Sequence, residues 1–496
     1  MDEENKIHED IQSLKTTPDG IVLDPQPSDN PNDPLNWAPS RKALTLSIWT
    51  AACFISQVTV VTNMQGSYLQ APLYHKTATE ISLSISLALI GLIVGAIIIV
   101  PLSRRYGACF CLFWSAIGLL LTSVWSALMT SSADYVPFLL SRLVAGLCAG
   151  VPLILGSEVV LQMFFLHQRG KSLHILHIPF LLGVALGPTI GGYINSQVSW
   201  TISFWYTLPL NGVLAAVILT FLEDTVLDME GSQTQASVWQ RRWKTYARGK
   251  ALSRGASWTE CSFILLDILL VGFSPVSVII GLFLMIDFGF ATMAIVLSVV
   301  FLEMPRDEGG YAMSKTAEAS FTLIQTIGVL LAEVYGHFIS DRLPLFLLRQ
   351  RSKSTPSPAW HPEDRLHCLW LPVIILPIGL GLFGASLQYH LHWAVLAFGY
   401  LFISFGAMSI FPVAMTYLCE CFPGQISEVA AAMGFWRLVL GLLTTVFITQ
   451  WRESVGPGWV FGTAALLTIP AFGGVIGLMG FGKWVRGFSL GRKARE

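Results

Sequence analysis

The chain has 496 residues, of which 53% are hydrophobic and only 12% are charged, and its formal net charge is −1. A soluble globular protein carries about 25% charged residues, so the composition excludes an ordinary soluble domain. Charged residues are absent from Ser172 to Leu222 and again from Leu366 to Cys419. Each gap is long enough for two membrane crossings of roughly 20 residues, so the sequence predicts a helical protein with many membrane spans.

Twelve apolar segments of helical length follow one another along the chain. The fold class predicted is therefore an all-α membrane protein with twelve transmembrane helices in two six-helix bundles, an arrangement typical of secondary transporters. The predicted helices cover 44–63, 81–103, 107–130, 136–161, 172–194, 200–222, 275–302, 316–340, 367–388, 392–418, 426–450 and 458–482. The predicted domains are a disordered tail (1–43), a first bundle (44–222), a linker (223–273), a second bundle (274–486) and a short tail (487–496).

The distribution of lysine and arginine predicts the orientation in the membrane. With the N-terminus placed inside, 24 of the 30 Lys and Arg residues fall on the inner side, including those of the linker and of both tails. Four fall outside or at the outer boundary, and two, Arg142 and Arg437, lie within predicted helices. Since basic residues favour cytoplasmic loops, both termini are expected in the cytoplasm. The polar N-terminal segment has no signal-peptide pattern.

The fifth predicted helix carries an unusual set of helix-weakening residues. Its segment "LLGVALGPTIGG" places Gly183, Gly187 and Gly191 four residues apart, with Pro188 and Gly192 beside them. A stripe of small residues lets the backbone of a neighbouring helix approach closely. Proline removes one hydrogen bond and loosens or kinks the helix at that point. Close packing alone is one interpretation, and a conformational role is the other.

The extended pattern resembles the antiporter motif in the fifth helix of drug–proton antiporters of the major facilitator superfamily, where it is thought to limit leakage and favour export. Other segments resemble the fungal members of this branch along nearly the whole chain, in the expected order. They are "DPLNWAPSRKA" (33–43), "SRLVAGLCAG" (141–150), "FFLHQRGKSL" (164–173), the Glu-Asp-Thr at 223–225 and "HPEDRL" (361–366). The resemblance implies the transporter fold, and by position it links Arg142 to proton movement.

One motif departs from the family pattern. The loop after the second helix usually contains an acidic residue that joins a charged cytoplasmic gate, but here it reads "VPLSRRYGAC". Arg105 and Gly107 fit the pattern, whereas Arg104 replaces the acid, and a cation should repel the cations that the acid attracts. The matching loop of the second half keeps Asp341 and Arg342. The sequence therefore predicts a gate that is only half built.

Ionisable side chains deep in a membrane are costly and are candidates for function. Asp287 and Arg437 lie near the middle of their predicted helices, Arg142 lies about two turns from the outer end, and Glu333 about two turns from the inner end. Arginine does not lose its proton under ordinary conditions, so Arg437 is expected to pair with Asp287 or Glu333. A fixed ion pair is one interpretation, and proton exchange by Asp287 or Glu333 is the other.

Polar residues at helical spacing mark a further candidate surface on the eighth helix. Glu318, Thr322 and Gln325 form a stripe with Glu333, and a helix that faces lipid would not carry such a stripe. This face is expected to border a central cavity or to pack against the other bundle. Gln57 and Tyr417 are further cavity candidates. Other polar residues are set aside as peripheral: Glu158 and Glu420 as hydrated, and His174 and His177 as interfacial.

The function predicted is proton-coupled export of small organic compounds, either drug-like molecules or natural products, by alternating access. Two alternatives stay open: a proton-driven importer of polyamines or other organic cations, and a membrane sensor or interaction protein that transports nothing. No nucleophile–base grouping, phosphate-binding loop or metal-ligand spacing points to an enzyme or to a cofactor. The expected partners are a small-molecule substrate, protons and the lipid bilayer, without nucleic acid. The chain is expected to be a monomer in the plasma membrane, with the vacuolar membrane as the alternative.

Overall fold

Long apolar segments between polar loops give the chain its helices. The computed structural model describes residues 23–30, 33–223, 245–246, 258–306, 310–352 and 360–488, so most of the predicted linker and parts of both tails lie outside it. Within these ranges, twelve helices are long and apolar enough to cross a membrane, as the sequence predicts. In chain order they are α1 (Pro39–Val61), α2 (Ala78–Tyr106), α3 (Ala108–Leu128), α4 (Tyr135–Ala149 and Val151–Met163), α5 (Leu166–Gln197), α6 (Ile202–Trp205 and Thr207–Phe221), α7 (Pro275–Glu303), α8 (Lys315–Ile339), α9 (Trp370–Gln388), α10 (Trp393–Cys421), α11 (Ile426–Val455) and α12 (Pro457–Arg486).

The helices form two halves, α1 to α6 and α7 to α12, that meet along two main pairs of helices. Helix α5 packs against α8, and α2 packs against α11. Successive helices run in opposite directions, so α1 begins and α6 ends at the same end of the bundle, next to the linker. This end is called the linker face below, and the other end is called the opposite face.

Local sequence explains several helix ends. Thr77 and Glu80 form a reciprocal capping box at the start of α2, in which each side chain accepts from the other's backbone N–H. Gly107 separates α2 from α3 with φ of +94°, a conformation that L-residues other than glycine rarely adopt. Helix α4 is interrupted at Gly150, just before Pro152, which cannot donate a backbone hydrogen bond.

Three α-helices of the described residues do not appear among the sequence predictions: Ser67–Tyr74, Arg342–Ser352 and, the longest, Trp258–Gly272. Residues Trp258–Gly272, inside the predicted linker, form a 15-residue lateral helix that is too short to span a membrane. It packs against α2 and α11: the thiol of Cys261 lies 3.9 Å from the carbonyl oxygen of Pro101, and the indole of Trp436 donates to the carbonyl of Gly272. Its outer side exposes Phe263, Leu266 and Leu269, among others.

The glycine stripe of α5 lies against α1. A Cβ atom added at Gly183 would stand 2.6 Å from the backbone oxygen of Phe54, and one at Gly191 would stand 1.6 Å from the oxygen of Thr62. At Gly192 the added atom would overlap the Gln65 side chain. Helix α5 continues without interruption through Pro188. The stripe therefore serves a backbone-to-backbone contact that any larger residue would push apart.

Replacing Gly191 with alanine is expected to lower the free energy of unfolding by about 1–3 kcal/mol or more, since the clash is with backbone that cannot move aside. The matched control is Gly473→Ala on α12, where an added Cβ meets no atom within 4 Å. That control should be neutral or slightly stabilising, because alanine is the better helix former. Thermal unfolding of both variants in detergent checks the prediction, and equal midpoints would contradict it.

Candidate transport pathway

Charged side chains of both halves meet at the linker face. Arg104, near the end of α2, places Nη1 2.8 Å from Oε1 of Glu158 on α4 and Nη2 3.4 Å from Oε1 of Glu428 on α11. The hydroxyl of Ser427 donates to the other oxygen of Glu158. Arg104, Glu158, Ser427 and Glu428 are called the first latch. Because Arg104 and Glu158 belong to one half and Ser427 and Glu428 to the other, these contacts hold the halves together.

The first latch changes the interpretation of the loop that departs from the family pattern. Arg104 stands between two carboxylates instead of facing a cation. The arginine that replaces the family's acidic residue is therefore paired with groups of opposite charge. Glu428 lies in the first turn of α11, where a carboxylate also interacts favourably with the helix dipole. The expectation of electrostatic repulsion at Arg104 was wrong, because its partners are acidic. The guanidinium of Arg105 lies over the ring of its neighbour Tyr106.

A second set of contacts crosses the linker face. Arg365, in the turn before α9, donates from Nη1 to Asp341 at 2.5 Å and from Nε to Glu420 at 2.9 Å. It also donates to the backbone oxygen of Leu166 in the other half, while Asp341 accepts from the backbone N–H of Lys171. Asp341, Arg365, Glu420 and these two backbone groups are called the second latch. Both latches are assembled, so the linker face is closed in this structure.

The two latches also correct the treatment of two glutamates, one in each latch. Glu420 was expected to be hydrated, but its side chain is 2% exposed and pairs with an arginine that is 1% exposed. Glu158 is 15% exposed and belongs to the first latch. Both lie near helix ends, as the sequence indicates, but the contact between the halves covers them. The guanidinium of Arg342 lies over the ring of Phe338 on the preceding helix.

Arg437 of α11 lies at the contact between the halves, surrounded by aromatic rings. Its guanidinium carbon is 4.9 Å from the ring centre of Phe180 on α5, 4.9 Å from Phe288 on α7 and 4.4 Å from Phe411 on α10. These four side chains are called the aromatic box. Arg437 is 2% exposed, and its Nε and Nη1 atoms have no hydrogen-bond partner among the residues that the structure describes.

The expected ion pair between Arg437 and a carboxylate of the same half is absent among the described residues. Asp287 is 1% exposed, and no group in the described ranges forms a hydrogen bond with either of its carboxylate oxygens. It lies one residue before Phe288, so it points about 100° away around α7, on the side of Phe283, whose ring packs against Phe472 of α12. Glu333 is half-buried on α8 and does not reach Arg437 either. The expectation failed because sequence depth says nothing about which way a side chain points.

The buried arginine of the first half has a different environment. Arg142 donates from Nη2 to the backbone oxygens of Val60, at 2.5 Å, and Thr59, at 3.3 Å, and it faces the ring of Phe204. These two carbonyl oxygens belong to the last turn of α1, where the negative end of the helix dipole attracts a cation. Gln57 of α1 donates to the oxygen of Ala149 at the interruption of α4. Both residues thus join helices within the first half.

The polar stripe of α8 divides between two neighbours. The Thr322 hydroxyl lies 2.7 Å from that of Thr189 on α5, in the other half. Gln325 accepts from the hydroxyl of Tyr400 on α10, within the same half. Glu318 is 1% exposed near the opposite face. Tyr417, on α10, is also buried. The stripe therefore lies at the contact between the halves over part of its length.

Two buried histidines belong to the same contact and were misjudged from the sequence. His174 and His177 are fully buried on α5, instead of interfacial. An added Cβ on Gly336 of α8 would lie 2.2 Å from the ring of His174, and the His177 ring meets that of Phe411 edge-on at 5.0 Å. In the part of the chain that the structure describes, no group of three His, Cys, Asp or Glu side chains is placed to hold a metal ion.

Comparisons with known proteins agree with this architecture. The family described as "Major Facilitator Superfamily" matches residues 46–345. The "MFS transporter fsa7" of Fusarium sp. (strain FN080326) is 27% identical, over 91% of this chain and 87% of that protein. The "Efflux pump radE" of Floropilus chiversii is 23% identical, over 92% of this chain and 82% of that protein.

Among solved structures, the fold is similar to that of the proton:xylose symporter XylE bound to 6-bromo-6-deoxy-D-glucose. The TM-score is 0.65 at 15% identity, and the match covers 90% of this chain and 96% of that chain. At this identity the likeness concerns the fold alone. The family match, the fungal relatives and the twelve helices together assign the chain: it belongs to the major facilitator superfamily, in its fungal drug-type branch, and is a multi-pass membrane carrier and not an enzyme.

Proposed function

We propose that the chain exports small organic compounds from the cytoplasm in exchange for protons, by alternating access, as a monomer in the plasma membrane. The linker face is cytoplasmic in this proposal, since it carries most of the lysines and arginines. The observation that carries the proposal is the pair of latches, which close one face with contacts between the halves. The name of the efflux pump relative supports the direction of transport.

The latches supply a two-state element. Arg104–Glu428 and the contacts of Arg365 and Asp341 with the backbone of α5 all cross between the halves. They must break when the linker face opens to admit cargo, and they form again when it closes. An interface of this kind has discrete arrangements instead of a continuous range, as alternating access requires.

Asp287 is the proposed proton carrier. An ionised carboxylate without partners is expensive at this depth, so the arrangement seen here suits a carboxyl group that holds its proton. When the halves move, water that reaches the group can accept its proton and solvate the carboxylate that is left, which favours the ionised form. Glu333 on α8 is the second candidate, and Arg142 is proposed to hold α1 and α4 in register while protons move.

The glycine stripe is proposed to serve this movement. Gly183, Gly187 and Gly191 give α5 a smooth surface against α1, while the other side of α5 contacts α8 of the second half. Pro188 leaves the carbonyl of Val184 without its helical donor, which makes the helix easier to bend. A smooth helix that can bend is suited to slide or tilt at the contact between the halves without opening a leak.

The experiment that tests the proposal uses everted membrane vesicles with an imposed pH gradient, acidic inside, and a panel of labelled organic compounds. Proton-coupled export predicts that a compound accumulates inside the vesicles and that collapse of the gradient abolishes the accumulation. Accumulation only in right-side-out vesicles would favour the proton-driven importer of organic cations. Absence of flux in both geometries would favour a sensor or interaction protein. Either result would overturn the proposal.

A further inference from the structure

The aromatic box holds a charge that nothing in the described structure balances. Arg437 is buried between the two halves, two of its nitrogens have no hydrogen-bond partner, and no carboxylate of the described residues forms an ion pair with it. A buried charge is costly unless it is paired and hydrogen-bonded. Arginine cannot escape this cost by losing its proton. The described residues therefore leave this cation without an anionic partner.

Arg142, the buried arginine of the first half, has backbone partners that Arg437 lacks within the described ranges. Among the described residues, its Nη2 donates to two backbone oxygens of α1 and one aromatic ring, that of Phe204, lies over it, whereas its Nη1 has no hydrogen-bond partner. Arg437 has three rings around it, from helices of both halves. The rings stabilise the cation from its faces, but they accept no hydrogen bonds in the plane of the guanidinium. The in-plane donors are the part that is left for a ligand.

We propose that the aromatic box binds the anionic group of an organic acid that is transported as its conjugate base. The proposal rests on the proposed carrier function and names the class of its cargo. An oxygen anion, such as a carboxylate, would accept from the free N–H groups of Arg437, and the apolar body of the acid would pack on Phe180, Phe288 and Phe411. Charge-assisted hydrogen bonds of this kind are stronger than neutral ones.

The position of the box suits cargo binding. Phe180 belongs to the first half, whereas Phe288, Phe411 and Arg437 belong to the second. A ligand held there would contact both halves and would sense their relative movement. Binding of the anion would also favour the state in which the two halves close around it, because the anion removes the electrostatic cost of the unpaired cation.

The test measures binding to the purified full chain in detergent micelles by isothermal titration calorimetry. The probes are four aryl acids of different shape, beginning with 1-naphthylacetate, and the neutral amide of each acid, beginning with 1-naphthylacetamide. For at least one pair, the acid should bind roughly ten- to a hundredfold more tightly than its amide, the range expected for a hydrogen bond to a charged group. If no acid binds more tightly than its amide, the proposal is overturned.

Variants locate the preference in the molecule. Arg437→Gln should remove the preference for the acid and leave the affinity for the amide unchanged, and Arg437→Lys should retain part of it. The matched control is Arg452→Gln, which removes another arginine of α11 that lies over a phenylalanine of α7, Phe301, towards the opposite face. If Arg437→Gln keeps the preference, or if Arg452→Gln loses it, the site is not at the box.

The titration separates this inference from the proposed function. It needs no pH gradient, so an acid preference that depends on Arg437 would stand even if vesicles showed no proton-driven export. Conversely, export of neutral compounds without any acid preference would leave the exporter in place and overturn the anion site. Should Arg437→Gln fail to fold, Arg437→Lys and the preference of the unmodified chain still decide the question.

Discussion

Replacing Asp287 with asparagine is expected to reduce pH-driven accumulation of cargo in everted vesicles to the level of vesicles that lack the protein. The amide has nearly the same shape as the carboxyl group, but it does not gain or lose a proton at the pH values of the vesicle assay. Asp287 is buried, and the described part of the chain offers it no hydrogen-bond partner that the amide would lose, so the variant should fold. Exchange of labelled for unlabelled cargo, measured with the same pH on both sides of the membrane, should persist because it needs no net proton transfer.

Two further measurements make the Asp287 result specific. Asp134→Asn is the matched control, since this carboxylate lies near the opposite face and only caps a short turn through the backbone N–H of Ser131. It should leave accumulation unchanged. If Asp287→Asn still accumulates cargo against a gradient, Asp287 is not the proton carrier, and Glu333→Gln becomes the next variant to measure.

Replacing Arg104 with glutamate is expected to lower the initial rate of export by about tenfold or more. The change puts a third carboxylate beside Glu158 and Glu428. The repulsion between these carboxylates raises the free energy of the state in which the linker face is closed. Arg104 is 34% exposed, and solvent weakens its ion pairs. Even so, a shift of about 1.4 kcal/mol in the opening equilibrium changes populations tenfold.

A charge exchange provides the control for Arg104. The double variant R104E/E428R again places one cation between two carboxylates, now with the cation on α11, and should recover most of the rate lost in R104E. E428R alone should be impaired, because it brings two arginines together. If R104E exports at the normal rate, or if the double variant is no better than R104E, the first latch does not control closure.

Much of the fold could be predicted from the sequence because membrane spans are encoded locally. The apolar run that predicts a helix over 426–450 appears as Ile426–Val455, and the run over 275–302 appears as Pro275–Glu303. A span must satisfy its own backbone and be long enough to cross the lipid, so composition in a window of about 20 residues is nearly sufficient. The lateral helix escaped prediction because 15 residues fall below that length.

The pairing of charged residues could not be predicted in the same way. The partners of Arg104 lie on α4 and α11, and only the packing of the two halves brings them together. Arg437 and Asp287 both lie near the middle of their helices, yet Arg437 is part of the aromatic box, whereas the helical position of Asp287 turns its side chain away from the box. The sequence did contain a signal for Arg365, since it lies in the "HPEDRL" segment that resembles the family, but its partners were hidden.

The central claim is that the two halves rock about the pathway, opening one face as they close the other. The most direct measurement is the distance between spin labels across each face by pulsed electron resonance. Gln168→Cys and Gln350→Cys label the two halves at the linker face, and Thr130→Cys and Tyr389→Cys label them at the opposite face. All four side chains are exposed, whereas the native cysteines of the described residues are buried or half-buried.

The account predicts two distances at each face, with opposite changes when the pH or the cargo is varied: the linker-face distance lengthens as the opposite-face distance shortens. The closed latches seen here correspond to the shorter linker-face distance. A single, unchanged linker-face distance under every condition in which cargo is still transported would contradict alternating access through these latches.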